Sequence, residues 1–189
     1  MTTLEQYIVA LVNLNGVIEK EKVLEIFNSQ QDFDAYDFDS VDWYELEDFY
    51  VVNYEKYFVH DDVLRTDYLE SLLLKKSEND YYIPHKDYLT EYVDVDFFEV
   101  TEEIEKIAED LQKITDLDDE DLGDFIYDLH EYLVDEGLDE TNLNNVNDYF
   151  EFEFDNNLEL NDFISLVKDF NQYIRRWEYN GFSKSELNM

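Results

Sequence analysis

Five carboxylates, Asp121, Asp124, Asp128, Glu131 and Asp135, follow one another at spacings of three and four residues. At 100° per residue on an α-helix, this spacing confines them to a strip about 80° wide and three to four turns long. Such a strip can hold a divalent cation, supply an acid–base pair, or present a row of negative charge to a basic surface. Glu102, Glu103, Glu105, Glu109 and Asp110 form a second acidic set upstream. Exposed helix faces ordinarily intersperse lysine at i,i+4 to relieve like-charge repulsion, yet residues 119–135 contain neither lysine nor arginine. A solvated helix face accounts for the acids but not for the missing cations.

Cation binding fits poorly. An EF-hand loop needs oxygen ligands at positions 1, 3 and 5, Gly at 6 and Glu at 12. With Gly123 at position 6, Asp118 and Glu120 fill 1 and 3, but Leu122 falls at 5 and Leu129 at 12. Asp94, Asp96 and Glu99, or Asp155, Asn157 and Glu159, match solvated loops better than ion sites. His60, His85 and His130 are far apart in sequence and form no zinc-ligand pattern. The chain has no cysteine, hence no disulfide, thiolate zinc site or cysteine nucleophile. Neither GxGxxG nor GxxxxGK[ST] occurs. With 50 acids, some pair will always suit glycoside hydrolysis, so such a pair is chance rather than signal. The expectation is a protein that is not an enzyme and takes no cofactor or metal.

What remains is the charge itself. The 189 residues include 50 acids against 13 Lys and Arg, a formal charge of −37. Acidic disordered tails share such a balance, but 44% apolar and 17% aromatic residues supply the burial that ordering needs. Asn, Ile and Tyr usage also argues against a salt-adapted chain. The surface-scaling rule gives about 9,600 Å² for this mass, or about one net negative per 260 Å². B-DNA carries about one per 110 Å². Residues 91–150 hold 22 acids and only Lys106 and Lys113, which raises the local density to about one per 160 Å². No apolar run has the roughly 18 residues of a membrane span, and the first residues lack a signal-peptide pattern, so a cytoplasmic location is expected.

Apolar spacing at i, i+3, i+4 and i+7 predicts a mainly α chain. The first helices run from Thr3 to Leu14, stopped by Asn15-Gly16, and from Glu19 to Asn28. A short third helix spans 41–48, and residues 49–60 read as a hairpin around Asn53–Lys56. The alternation of acids and aromatics at 32–39 fits a strand or a loop. This order suggests a winged-helix-like unit at 1–62, packed on an acidic helical bundle at 63–189. Within the bundle, helices are predicted at 63–76, 101–114, 119–135, 143–154 and 161–177, with short turns at 87–92 and 96–100. Despite that order, nucleic acid is excluded as a direct ligand. Asp37, Asp39, Asp42, Glu45, Glu47 and Asp48 would face the phosphates with the wrong sign.

The run Asn171–Leu187 carries Arg175, Trp177 and Gly181 in an Arg-x-Trp, Asn-x-Gly, Glu-Leu pattern. It resembles a motif of uncharacterised proteins from low-GC Gram-positive bacteria. Matching pieces are Tyr7–Val9, Asn15–Ile18, Glu25–Asn28, Tyr81–Pro84 and Phe97–Glu99. That family often continues into a SecA-C-terminal-like zinc motif, which needs cysteines that this chain lacks. The resemblance implies an inherited scaffold and no transferable activity. Arg175-Arg176 beside Trp177 reads as an internal ion-pair or cation–π anchor.

The functional expectation is therefore an acidic binder of a basic protein surface, with the strip on 121–135 in contact and the 102–110 set in support. Its sharpest form is a DNA mimic, phage- or mobile-element-encoded, that inhibits a restriction, CRISPR or other DNA-binding protein. The alternative is an adaptor or regulator of the Gram-positive family, acidic by inheritance and working through the surface around Arg175, Trp177 and Gly181.

Overall fold

Ten of the thirteen residues of the first helix, α1 (Thr3–Asn15), are buried, including four consecutive apolar residues from Val9 to Val12. A helix buried on most sides is a core element rather than a one-faced surface helix. The computed structural model describes residues 1–32, 35, 37–76, 80–136, 146–154 and 156–187, side chains of 135 and 136 excepted. Among these, helix predominates and one small three-stranded sheet occurs. No described helix is long and apolar enough to cross a membrane.

α1 starts on a capping box: Thr2 Oγ1 accepts from Glu5 N–H, and the Glu5 carboxylate accepts from Thr2 N–H. Asp42 N–H also donates to Glu5 Oε1 at 2.8 Å. Burial alone would raise the Glu5 pKa, but the N–H donors of Asp42 and Thr2 outweigh it and hold the carboxyl low. After Gly16 come β1 (Val17–Glu19), α2 (Lys20–Gln30), α3 (Trp43–Glu47), β2 (Val51–Tyr54) and β3 (Tyr57–His60). β3 is central, antiparallel to both neighbours, in the order β1-β3-β2. Phe58 faces the α1 core, while Val59 joins Val17, Val63 and Leu72 on the other face, so both faces of the centre are buried.

β1 was not expected from the sequence, because three residues are too short to show a period of two, and its last residue, Glu19, is the start expected for the second helix. The predicted helix at 63–76 is in fact two, α4 (Asp61–Arg65) and α5 (Leu69–Lys75), separated where Asp67 takes φ 54°. α6 (Lys86–Leu89) and a 3₁₀ turn (Thr90–Val93) pack Leu89 and Tyr92 on the α1 core, whereas residues 96–100 are not helical. In the alternating run at 32–39, residues 33, 34 and 36 lie outside the described set and the others form no strand.

The chain divides into two compact units. Unit 1 comprises Met1–Phe97 and Arg175–Phe182, so it contains the 1–62 segment together with α4 to α6 and a return segment. Unit 2 comprises Phe98–Ile174 and Ser183–Met189. Its helices are α7 (Glu102–Thr115), α8 (Asp119–Glu136), α9 at residues 146–150, and α10 (Asn157–Tyr173). Ile104, Leu111, Leu129, Leu133, Phe163, Val167 and Phe170 form its core. The helix expected at 143–154 ends at Phe150, because Glu151 takes φ 56°, while 141–145 and the stop expected at Gly137 lie outside the described residues. α10 begins and ends about four residues earlier than predicted. Asn156 Oδ1 accepts from Leu158 and Glu159 N–H and starts it, and Ile174 is extended where the chain leaves for unit 1.

Candidate functional site

α8 owes its position to its N-terminal end and one face. The Asp118 carboxylate accepts from Glu120 and Asp121 N–H at 3.0 and 3.1 Å and starts the helix. Phe125, Ile126, Leu129 and Leu133 then lock its apolar face into the unit 2 core. With that face fixed, Asp121, Asp124, Asp128 and Glu131 are exposed. Asp135 lies in the last turn, its side chain outside the described residues. From Asp121 to Glu131 the helix rises about 15 Å, so four charges stand about 5 Å apart, compared with 3.4 Å along one DNA strand.

These acids have different physical justifications. Asp119, Glu120 and Asp121 are in the first turn, where carboxylates stabilise the positive end of the helix. Glu131 lies beside His130, whose Nδ1 is 3.5 Å away and holds the carboxyl below its ordinary value. Stacking on Phe98 at 4.5 Å fixes the His130 ring. Asp124 and Asp128 have neither support: they are past the first turn, and no described cation forms an ion pair with them. Between Asp121 and Asp124 sits Gly123, where a Cβ would meet nothing within 4 Å. The glycine is not needed for packing.

α7 carries the supporting acids differently. Thr101 Oγ1 accepts from Ile104 N–H and caps it, and Glu102, Glu103 and Glu105 occupy its first turn, exposed. Glu109 is exposed as well. Asp110 is only partly exposed and is paired with Lys113 at 2.7 Å, which pulls its pKa down. The charge of α7 is thus either matched to the helix dipole or partly relieved by lysine. Of these two helices, α8 carries the carboxylates with neither, Asp124 and Asp128.

Arg175, Trp177 and Gly181 belong to unit 1, where they close the C-terminal end of α1. Carbonyls at and just past that end need donors. Gly16 N–H donates to Val12 O, Trp177 Nε1–H to Asn13 O, Lys76 Nζ to Asn15 O, and His60 N–H to Gly16 O. Gly16 takes φ 68°, and a Cβ on it would come within 2.5 Å of the Trp177 ring. Gly181, at φ 79°, leaves space that Leu14 and Asn15 occupy at 3.0 to 3.3 Å. Arg175 donates to Gly181 O at 3.0 Å and lies 3.4 Å from the centre of the Tyr82 ring, so the cation–π partner is Tyr82 rather than Trp177.

Sequence spacing pointed to Asn15 only as part of the stop after the first helix and to His60 only as one of three scattered histidines, and not to Lys76. Lys76 is 7% exposed and also donates to Val17 O at 3.0 Å; burial pulls its pKa down to about 7. His60 is 5% exposed, contacts the Tyr50 and Trp177 rings, and is held low by burial. Its Nδ1 accepts from Asp62 N–H and starts α4. These groups act within the fold. Lys76 lies 61 residues from Asn15, whose carbonyl it caps, and Trp177 lies 164 residues from Asn13, so no local pattern could show these contacts.

No group of three or more His, Cys, Asp or Glu among the described residues is arranged to hold a metal ion. No protein-family model, curated protein or solved structure matches the chain.

Proposed function

We propose that this chain is a non-enzymatic acidic protein that binds a basic surface on another protein through α8. The observation that carries the proposal is the exposed row on that helix, in which Asp124 and Asp128 lack both helix-dipole and ion-pair support. Like charges held together destabilise a fold unless a counter-charge offsets them. A basic partner is such a counter-charge. The open face at Gly123 lets its side chains approach the helix backbone, and Glu102, Glu103, Glu105 and Glu109 extend the negative field.

In its sharper form the partner is a nucleic-acid-binding protein, and the carboxylates occupy its phosphate sites as a DNA mimic. Two features support this form. The charge spacing along α8 is within a factor of two of a DNA strand. We read the α1-β1-α2-α3-β2-β3 order with strand order β1-β3-β2 as that of a winged-helix-like unit, but with Glu47 and Asp48 exposed on and beside α3 where a DNA binder would carry cations. Arg175, Trp177 and Gly181, the surface named for an adaptor of the resembled family, make internal bonds and packing contacts, which suits a scaffold more than an interaction site.

The test is capture from host lysate by wild type and by D121K/D124K/D128K, with circular dichroism confirming that both fold. Wild type is expected to retain a DNA-binding protein at low salt and release it at high salt or on adding duplex DNA, while the variant retains none. Equal retention by the variant would reject α8 as the contact, and a salt-insensitive partner would favour an adaptor.

A further inference from the structure

Past α9 the chain turns at Glu151, and Phe152, Glu153 and Phe154 belong to neither helix nor strand. Their burial alternates: Phe152 and Phe154 are half-buried and Glu153 is exposed. The ring centres of Phe152 and Phe154 are 6.2 Å apart, close to the ~6.6 Å that two residues of extended chain span. Phe152 packs edge-on against Phe125 and Phe163 at 5.1 and 5.5 Å, and Phe154 lies 5.2 Å from Phe163. The side chains are therefore anchored in the core of unit 2.

The backbone is not. Among the described residues, no backbone hydrogen bond reaches the N–H or C=O groups of Phe152, Glu153 or Phe154. An extended stretch with unpaired N–H and C=O groups is a template on which another strand can form. Its charge selects what can pair. Glu151 and Glu153 are exposed, as are Asp148 and, at 63%, Tyr149. A second copy of this chain would bring acid against acid, which is destabilising across a strand pair. A segment with Lys or Arg at alternate positions would bring cation against acid and could place one cation over the Tyr149 ring.

We propose that residues 152–154 are a docking edge, flanked by Glu151, to which an extended basic segment of a protein partner adds as a β-strand. This is a second contact, distinct from the α8 row, and it rests on the reading of the chain as a binder of basic surfaces.

The test uses the full chain and two synthetic peptides: Lys-Thr-Lys-Val-Lys, and the same peptide N-methylated at alternate amides to keep its charge but remove donors. Calorimetry is expected to show at least ~10-fold tighter binding of the unmodified peptide. Hydrogen exchange should slow at the amides of Phe152 to Phe154. The variant E151K/E153K should lose this binding, and D124N/D128N should keep the difference between the peptides. If both peptides bind wild type equally and D124N/D128N weakens both, the edge is rejected and the α8 reading stands. If neither binds, the edge proposal fails together with the basic-surface reading for such segments.

Discussion

Unit 1 carries 24 acidic and 9 basic side chains, a net of −15 over 105 residues, whereas unit 2 carries 26 and 4, a net of −22 over 84. The cations of unit 1 are largely used within it. Lys22, Lys56 and Arg65 form ion pairs with Glu25, Glu19 and Asp61, and Lys76 and Arg175 donate to backbone carbonyls. In unit 2 the ion pair between described residues that carry fixed charge is Lys113–Asp110, and His130 lies 3.5 Å from Glu131. Both units carry excess acid, but the excess per residue is larger in unit 2 and fewer of its carboxylates are paired. The total of −37 conceals this uneven division.

The scaffold half of the comparison is broken most severely at Gly16. An added Cβ there meets the Trp177 ring at 2.5 Å with φ at 68°. Gly16→Ala is expected to destabilise unit 1 by about 3 kcal/mol or more, combining positive-φ strain with overpacking. Trp43 and Trp177 are the two tryptophans and both lie in unit 1, so Trp fluorescence during denaturant unfolding reports this unit. A normal midpoint in the variant would show that the 175–182 segment is not the lock described.

A smaller effect follows from Lys76, which burial pulls down to about 7, with Glu178 opposing. Between pH 7 and its unfolded value the folded chain binds fewer protons than the unfolded chain, so this group favours folding increasingly as pH rises through that window. Below about 7 its penalty is fully present. Compared with Lys76→Met, wild type should gain up to about 1.4 kcal/mol of stability per pH unit between roughly 7.5 and 9.5. Parallel curves for the two proteins would mean that Lys76 is not held at a depressed value.

The smallest expected change sharpens the other half. Gly123 faces open space in the middle of α8. Gly123→Ala should stabilise unit 2 by about 0.5–1 kcal/mol, measured by hydrogen exchange of α8 amides. The same variant should bind the partner less tightly if close approach to the backbone matters. Loss of stability would show that the glycine has a structural task in α8.

Much of this contrast was legible in the sequence, for identifiable reasons. Thr101 and the stripe from Ile104 to Leu111 placed α7, and Phe125, Ile126, Leu129 and Leu133 placed α8 and so exposed its acids. Periodicity sees one helix at a time, and it worked where one face meets one core. It was misleading at 63–76, where apolar residues flank the left-handed turn at Asp67, and at 151–154, where the helix expected over 143–154 has already ended at the left-handed Glu151. It was silent at β1, whose three residues pair only with β3. The polar closure of α1 joins Asn13, Asn15, Lys76 and Trp177 over distances that no window spans.

The division between the units is tested most directly by residue-resolved hydrogen exchange of the wild-type chain between about 0.01 M and about 1 M salt, a range over which the screening length falls from about 30 to about 3 Å. If unit 2 carries repulsion that its fold does not offset, α7, α8 and α10 amides should gain about 1 kcal/mol or more of protection with salt, and α1 and β3 amides less than half of that. Equal gains in both units, or a larger gain in unit 1, would contradict the account.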